Sequence, residues 1–327
     1  MRLLRVELRR LRSRQLIVLT AVGAVLLSLA TLVGVWQMTR PPSDAELAQA
    51  ERFYEEQLAD WEEHGEQYVA DCRAGEAEEA EATGRAVDWG CDDMEPQLEW
   101  FMHVAPPLHE SLLTQLTTFA ALPLLAALLI GTTFTAAELS TGSITTWLSF
   151  EPRRGRVYAS KVAAAGLGVV PLAVVMLAVV VLGTWAINAQ AGLTDGMTTA
   201  VWGEALGLAG RVVALAVVAA LAGSALGILL RHTAAVLGGV VLYLVAEQIF
   251  TAYVPGARPW LLSLNLMGWI EGGTTYYIET CTTEATGMFC DYTERAVSMG
   301  HSLTYVLVAT VVVVLLGGLV FRRRDAV

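Results

Sequence analysis

Six apolar blocks, at 16–38, 112–134, 162–186, 204–230, 234–254 and 303–321, limit what this 327-residue chain can fold into. Each holds about 20 residues or more, and a helix rising about 1.5 Å per residue needs that many to cross a hydrocarbon core of about 30 Å. Inside a bilayer the backbone must satisfy its own hydrogen bonds, which leaves helices or closed barrels. Blocks of this length predict an all-α polytopic membrane protein with six transmembrane helices. Hydrophobic residues make up 55% of the chain, above the roughly 45–50% of soluble domains. The basic stretch 1–14 followed by an apolar run resembles a secretory signal. The run is longer than the roughly 7–15 residues of a signal core, so it reads as an uncleaved first span.

The net charge of −11 conceals two opposed regions. Residues 39–110 carry 20 of the 32 carboxylates and only four arginines, and the remainder of the chain is positive. The only basic clusters flank the spans, which excludes the basic footprint of a nucleic-acid-binding protein. Arg2, Arg5, Arg9, Arg10, Arg12 and Arg14 precede the first span. Arg153, Arg154, Arg156 and Lys161 separate the second from the third. Arg231 separates the fourth from the fifth, and Arg322, Arg323 and Arg324 follow the sixth. The opposite loops hold only Arg40, Arg52, Arg73, Arg85, Arg258 and Arg295. The positive-inside bias puts both termini in the cytoplasm, and the expected location is a plasma membrane. Lys161 is the only lysine, and its rarity reads as a compositional habit, not as chemistry.

All four cysteines fall in outer loops, where an oxidising exterior permits disulfides. Four cysteines allow three connectivities. Short local loops favour Cys72–Cys91 and Cys281–Cys290, and no CxxC spacing supports a metal site. The expected organisation is a cytoplasmic amphipathic helix at 1–15, a first span at 16–38 and an acidic outer domain at 39–110. Spans two to five occupy 111–254, around a cytoplasmic loop at 135–161. An outer loop at 255–301 precedes the last span and basic tail at 302–327. In the N-terminal helix, Leu4, Leu8 and Leu11 share one face, suited either to the inner membrane surface or to a plain positive flank. Residues 44–70 have helical character, 74–86 suggest a loose hairpin, and a short helix fits 97–103. The acidic run fits a solvated face or a cation-binding surface. Trp260, Leu264, Trp269 and Ile270 belong to an apolar run too short to span. It reads as an interfacial or re-entrant helix, or as a lid over the outer mouth. Ala219, Gly223 and Gly227 form a small-residue face suited to helix packing.

Two charges lie inside spans: Arg211 in the fourth and Glu247 in the fifth, each about 10 Å below the outer end at 1.5 Å per residue. Intramembrane charges pair or face a cavity, so an Arg211–Glu247 ion pair is expected. It is either a structural staple or part of a substrate or ion pathway, the latter as in an ion-coupled secondary transporter. A non-transporting scaffold or sensor is a third reading of the chain.

The stretch 135–161, TAAELSTGSITTWLSFEPRRGRVYASK, turns between spans two and three. Glu138 ends the apolar run, Ser140, Thr141 and Gly142 break it, and Ile144, Trp147, Leu148 and Phe150 give a short amphipathic helix before Pro152 and a basic patch. Ala137 to Ile144, with Leu148, Pro152, Arg153 or Arg154, Arg156, Val157 and Lys161, resembles the AE(F/Y)xxGT(I/L)…L…PxxRxxxxxxK block of ABC-2 type transporter permeases. The six spans, the basic N-terminal helix and the element before the last span are similar too. The departures are Ser143 for the usual Thr and the large acidic outer loop. The resemblance implies that this block docks on an ABC ATPase subunit, through Glu138, Ser140, Gly142, Ile144, Trp147, Leu148, Arg153 and Arg154. It also implies a second permease copy, a lipid setting, export of a lipid, drug or peptide-like substrate, and ATP with Mg on the partner. The chain contains no GxxxxGK[ST] phosphate loop and no nucleophile–base constellation. It is therefore expected to be neither an enzyme nor a cofactor carrier.

Overall fold

The computed structural model describes residues 2–84, 86–102, 104–144, 149, 151–284 and 287–323. The chain forms two compact units, Met1–Val35 with Pro107–Val327, and Trp36–Pro106.

In the larger unit a short helix α1 (Arg2–Ser13) leads after one residue into α2 (Gln15–Thr39). The second block is built from α5 (Leu108–Phe119) and α6 (Ala121–Ser140), which meet at Ala120. Next come α7 (Arg154–Gln190), α8 (Thr199–Leu230) and α9 (Thr233–Tyr253). A 3-10 turn at Pro255–Trp260 and the short helix α10 (Leu262–Glu271) follow. The antiparallel strands β1 (Gly273–Glu284) and β2 (Gly287–Ser298) then lead into α11 (Met299–Arg323). Six of these segments are long and apolar enough to cross a membrane, as the apolar blocks predict. Most outrun the blocks by several residues, because the helices continue into their polar flanks. Arg154–Gln190 extends the 162–186 block at both ends.

The centre of this unit is the pair α6–α8. A Cβ on Gly131 would sit 2.2 Å from the Ala220 carbonyl oxygen, and one on Gly223 would sit 2.5 Å from that of Leu128. Thr132 Oγ1 donates to the Gly223 carbonyl at 3.2 Å, and Thr135 Oγ1 donates to that of Ser224 at 2.8 Å. Between lipid-embedded helices apolar burial gives little driving force, so close backbones and interhelical hydrogen bonds carry the association. The small-residue face is used in this way at Gly223 and Gly227, with Ala220 at the closest approach. Leu112, Leu116, Met176, Val212 and Leu215 fill one buried cluster beside it.

The hairpin β1–β2 is absent from the sequence reading, which lacks a two-residue turn signature there. Its strands pair Gly273 with Ser298 at the base and Cys281 with Cys290 further out, and the latter two form a disulfide. A two-stranded hairpin alone is marginally stable in water, and the cross-link compensates.

The second unit is dominated by α3 (Asp44–Thr83), about 60 Å long at 1.5 Å per residue. Ser43 and Glu46 form a reciprocal capping box at its start, and Gly84 closes it in the left-handed conformation at φ 65°. The Ser43 backbone and hydroxyl, with Arg40 beyond them, hold the Glu46 carboxyl below its ordinary range. The helix runs straight through 74–83, where the sequence suggested a hairpin. Its Glu- and Ala-rich composition has high helix propensity. The chain returns through Trp89, packed on Gly75, and the Cys72–Cys91 disulfide, to α4 (Leu98–Phe101). There Phe101 meets Tyr54. Both disulfides join the cysteines that the short loop lengths favour.

Candidate functional site

The termini of α6 and α7 frame the segment 141–153, and five charged side chains gather where they meet α1. Lys161 Nζ lies 2.9 Å from Glu7 Oε2 and also pairs with Glu138. Arg14 pairs with Glu138 and donates to the Phe134 carbonyl at 2.9 Å. Arg10 lies 3.8 Å from Glu7 and 3.9 Å from Glu138. Glu7 and Lys161 are wholly buried, and Glu138 is 1% exposed. Phe134, also fully buried, puts its ring 5.1 Å from the ammonium and 5.3 Å from the Arg14 guanidinium. The sequence builds this cluster from helical spacing. Leu4, Leu8 and Leu11 pack α1 on the α6–α7 region, with Leu11 against Gly168. Glu7 falls on that same face. The leucine face, expected to lie on the inner membrane surface or to belong to a plain positive flank, packs on protein, and Arg5, Arg9 and Arg12 point outward.

Burial of charge costs several kcal/mol per ion unless each is paired and hydrogen-bonded. Two carboxylates against one ammonium and two guanidiniums supply the pairing, with Glu7 accepting a hydrogen bond from Lys161 and Glu138 one from Arg14. They fix α1, the end of α6 and the start of α7 relative to one another. A second contact fixes the neighbouring helix: Tyr158 Oη donates to the Val314 carbonyl of α11, and its ring packs on Phe321. Ile144, Val157 and Ile228 fill the same apolar cluster.

The expected docking residues divide between these environments. Ser140 and Gly142 are exposed, as is Arg153, and Arg154 is half-buried. Ile144 is buried at 3% exposure. Trp147 and Leu148 lie outside the described residues, as does Phe150. Glu138, expected on the docking face, has its carboxylate enclosed by Arg14, Lys161 and Arg10 and is not presented at the surface. Lys161 needs correction, since the rare lysine is the central cation of the site. Glu7 escaped sequence reading altogether. The only signal for it was an acidic residue on the leucine face of an otherwise basic helix.

Residues 1–326 match the model of the family described as ABC-2 family transporter protein. The chain belongs to this family. No curated protein and no solved structure matches it significantly. Family and apolar helices together make it a multi-pass membrane protein with a permease role.

At the opposite end of the bundle, this ABC-2 protein uses its two intramembrane charges differently from the expected pair. Among the described residues, Arg211 and Glu247 do not bond to each other. Arg211 Nε donates to the Ile270 carbonyl at 2.8 Å and Nη2 to that of Glu271 at 3.4 Å. Glu247, 3% exposed, accepts from the Ser263 backbone N–H at 3.0 Å and from the Ser263 hydroxyl. Both partners belong to α10, at its two ends. The pairing expectation fails because it counts side chains only. The N-terminal N–H groups and C-terminal carbonyls of a short helix are themselves partial charges of opposite sign.

Proposed function

We propose that this chain is the membrane subunit of an ATP-driven ABC-2 export system, with both termini in the cytoplasm at the plasma membrane. A separate ABC ATPase carrying ATP and Mg docks on the segment 140–156, and a second permease copy completes the pathway. The substrate is a lipid, drug or peptide-like molecule. The observation that carries this reading is the buried cluster Glu7–Arg10–Arg14–Glu138–Lys161. It gives the exposed segment around Ser140, Gly142 and Arg153 a rigid base joined to three helices, so that a push on the segment moves helices instead of bending a loop. The positive-inside charge bias supports the orientation.

The test is co-purification of the full chain with an ABC ATPase co-expressed from the same cell. Arg153→Glu together with Arg156→Glu reverses charge at exposed positions outside the buried cluster. The double variant is expected to lower ATPase recovery about tenfold or more while eluting as the wild type does, in line with the cost of like-charge contacts at an interface. Undiminished recovery removes the segment from the docking surface. Substrate movement on an ion gradient with no ATPase present would overturn the exporter reading.

A further inference from the structure

We propose that α10 is a latch that opens as one body, and that Glu247 and Arg211 are the positioning residues holding its two ends. Its N-cap residue is Leu261, whose side chain cannot cap. The first-turn N–H groups of Leu262 and Ser263 are met instead from α9, by Tyr243 Oη at 3.2 Å and by Glu247. At the other end the carbonyls of Ile270 and Glu271 are met from α8 by Arg211. A carboxylate at the N-terminus and a guanidinium at the C-terminus each match the sign of the helix dipole.

Ten residues are too few for a helix to persist alone, so α10 depends on its neighbours. Trp269 and Ile270 are buried against them, and Gly268 lies close against Ser302 of α11. A buried polar group weakens that seat. Asn265 Oδ1 is enclosed and has no hydrogen-bond partner among the described residues. Leaving such a group unpaired in the seat favours opening of α10 below the global unfolding energy. Its connections allow movement as a unit. Gly272 and Gly273 follow it at φ 89° and 136°, and the 3-10 turn at Pro255–Trp260 precedes it. Opening uncovers Glu247 and the α11 face around Ser302.

The experiment is hydrogen–deuterium exchange on the full chain in lipid nanodiscs, at one pH and temperature, with no ATPase or substrate. It therefore stands or falls separately from the export reading. Glu247→Gln is expected to lower protection about tenfold across all of 262–271, including the distant C-terminal turn. Arg211→Gln is expected to do the same, including the N-terminal turn. The double variant is expected to lose about a hundredfold, since separated contacts broken in one opening add. Glu247→Asp and Arg211→Lys are expected to recover part of the loss, and the α6–α8 pair is expected to keep its protection throughout. Loosening confined to each variant's own end, or no change, overturns the proposal. The wild-type chain gives an independent reading should a variant fail to fold. One-body opening requires nearly equal protection along α10, and a gradient from its ends inward overturns it.

Discussion

Lys161 shows how strongly one side chain depends on its partners. Replacing it with methionine leaves two buried carboxylates facing only the partly exposed Arg10 and Arg14. Removing one member of a buried ionic set typically costs about 3–5 kcal/mol, and that loss is expected for Lys161→Met in mixed-micelle unfolding. Adding Glu7→Gln is expected to return a large part of it, because the uncompensated charge is then gone. If Lys161→Met unfolds like the wild type, the cluster is incidental. Residue roles of this kind were the least legible in the sequence. Glu138, Lys161 and Glu7 are separated by up to 154 positions, and no local pattern announces that they meet. The block around Glu138 was recognisable, while the direction in which its carboxylate faces was not. Arg211 and Glu247 were correctly singled out as charges that need partners, and the partners turned out to be helix ends.

The elements were far more legible. Long apolar runs specify spanning helices whatever their neighbours are, so all six emerged. Their ends moved because amphipathic flanks such as 154–161 continue the helix without adding to an apolar block. Alternating Thr and Tyr residues in β1 carried no turn signal strong enough to set a hairpin against a loop. Glycine content, by contrast, translates directly into packing. A methyl group on Gly131 would meet the Ala220 carbonyl oxygen at 2.2 Å, so Gly131→Ala must separate α6 from α8. Overpacking of this sort costs about 1–3 kcal/mol. Gly238→Ala on α9 meets nothing within 4 Å and is expected to be neutral or slightly stabilising, alanine being the better helix former. Thermal unfolding of the two variants side by side separates the steric effect from general sensitivity of the bundle to substitution.

Across the whole molecule, each end of the bundle uses buried charge to fasten a short helix. At one end α1 is joined to the roots of the segment 141–153; at the other α10 is gripped at both its termini. α11 touches both regions, through Phe321 at one end and Ser302 at the other. Charge placed at joints and omitted from the middle of the bundle suits a device that must hold its shape in lipid and still change it. The single buried lysine also makes the chain its own reporter. A reagent selective for ε-amines has one target in 327 residues, and that target sits behind closed doors. Its rate of acylation in intact, folded protein therefore counts how often the cluster of Glu7, Glu138 and Phe134 around it opens. Bound ATPase is expected to change that rate severalfold if docking is felt at the cluster, and an unchanged rate would place the moving parts elsewhere.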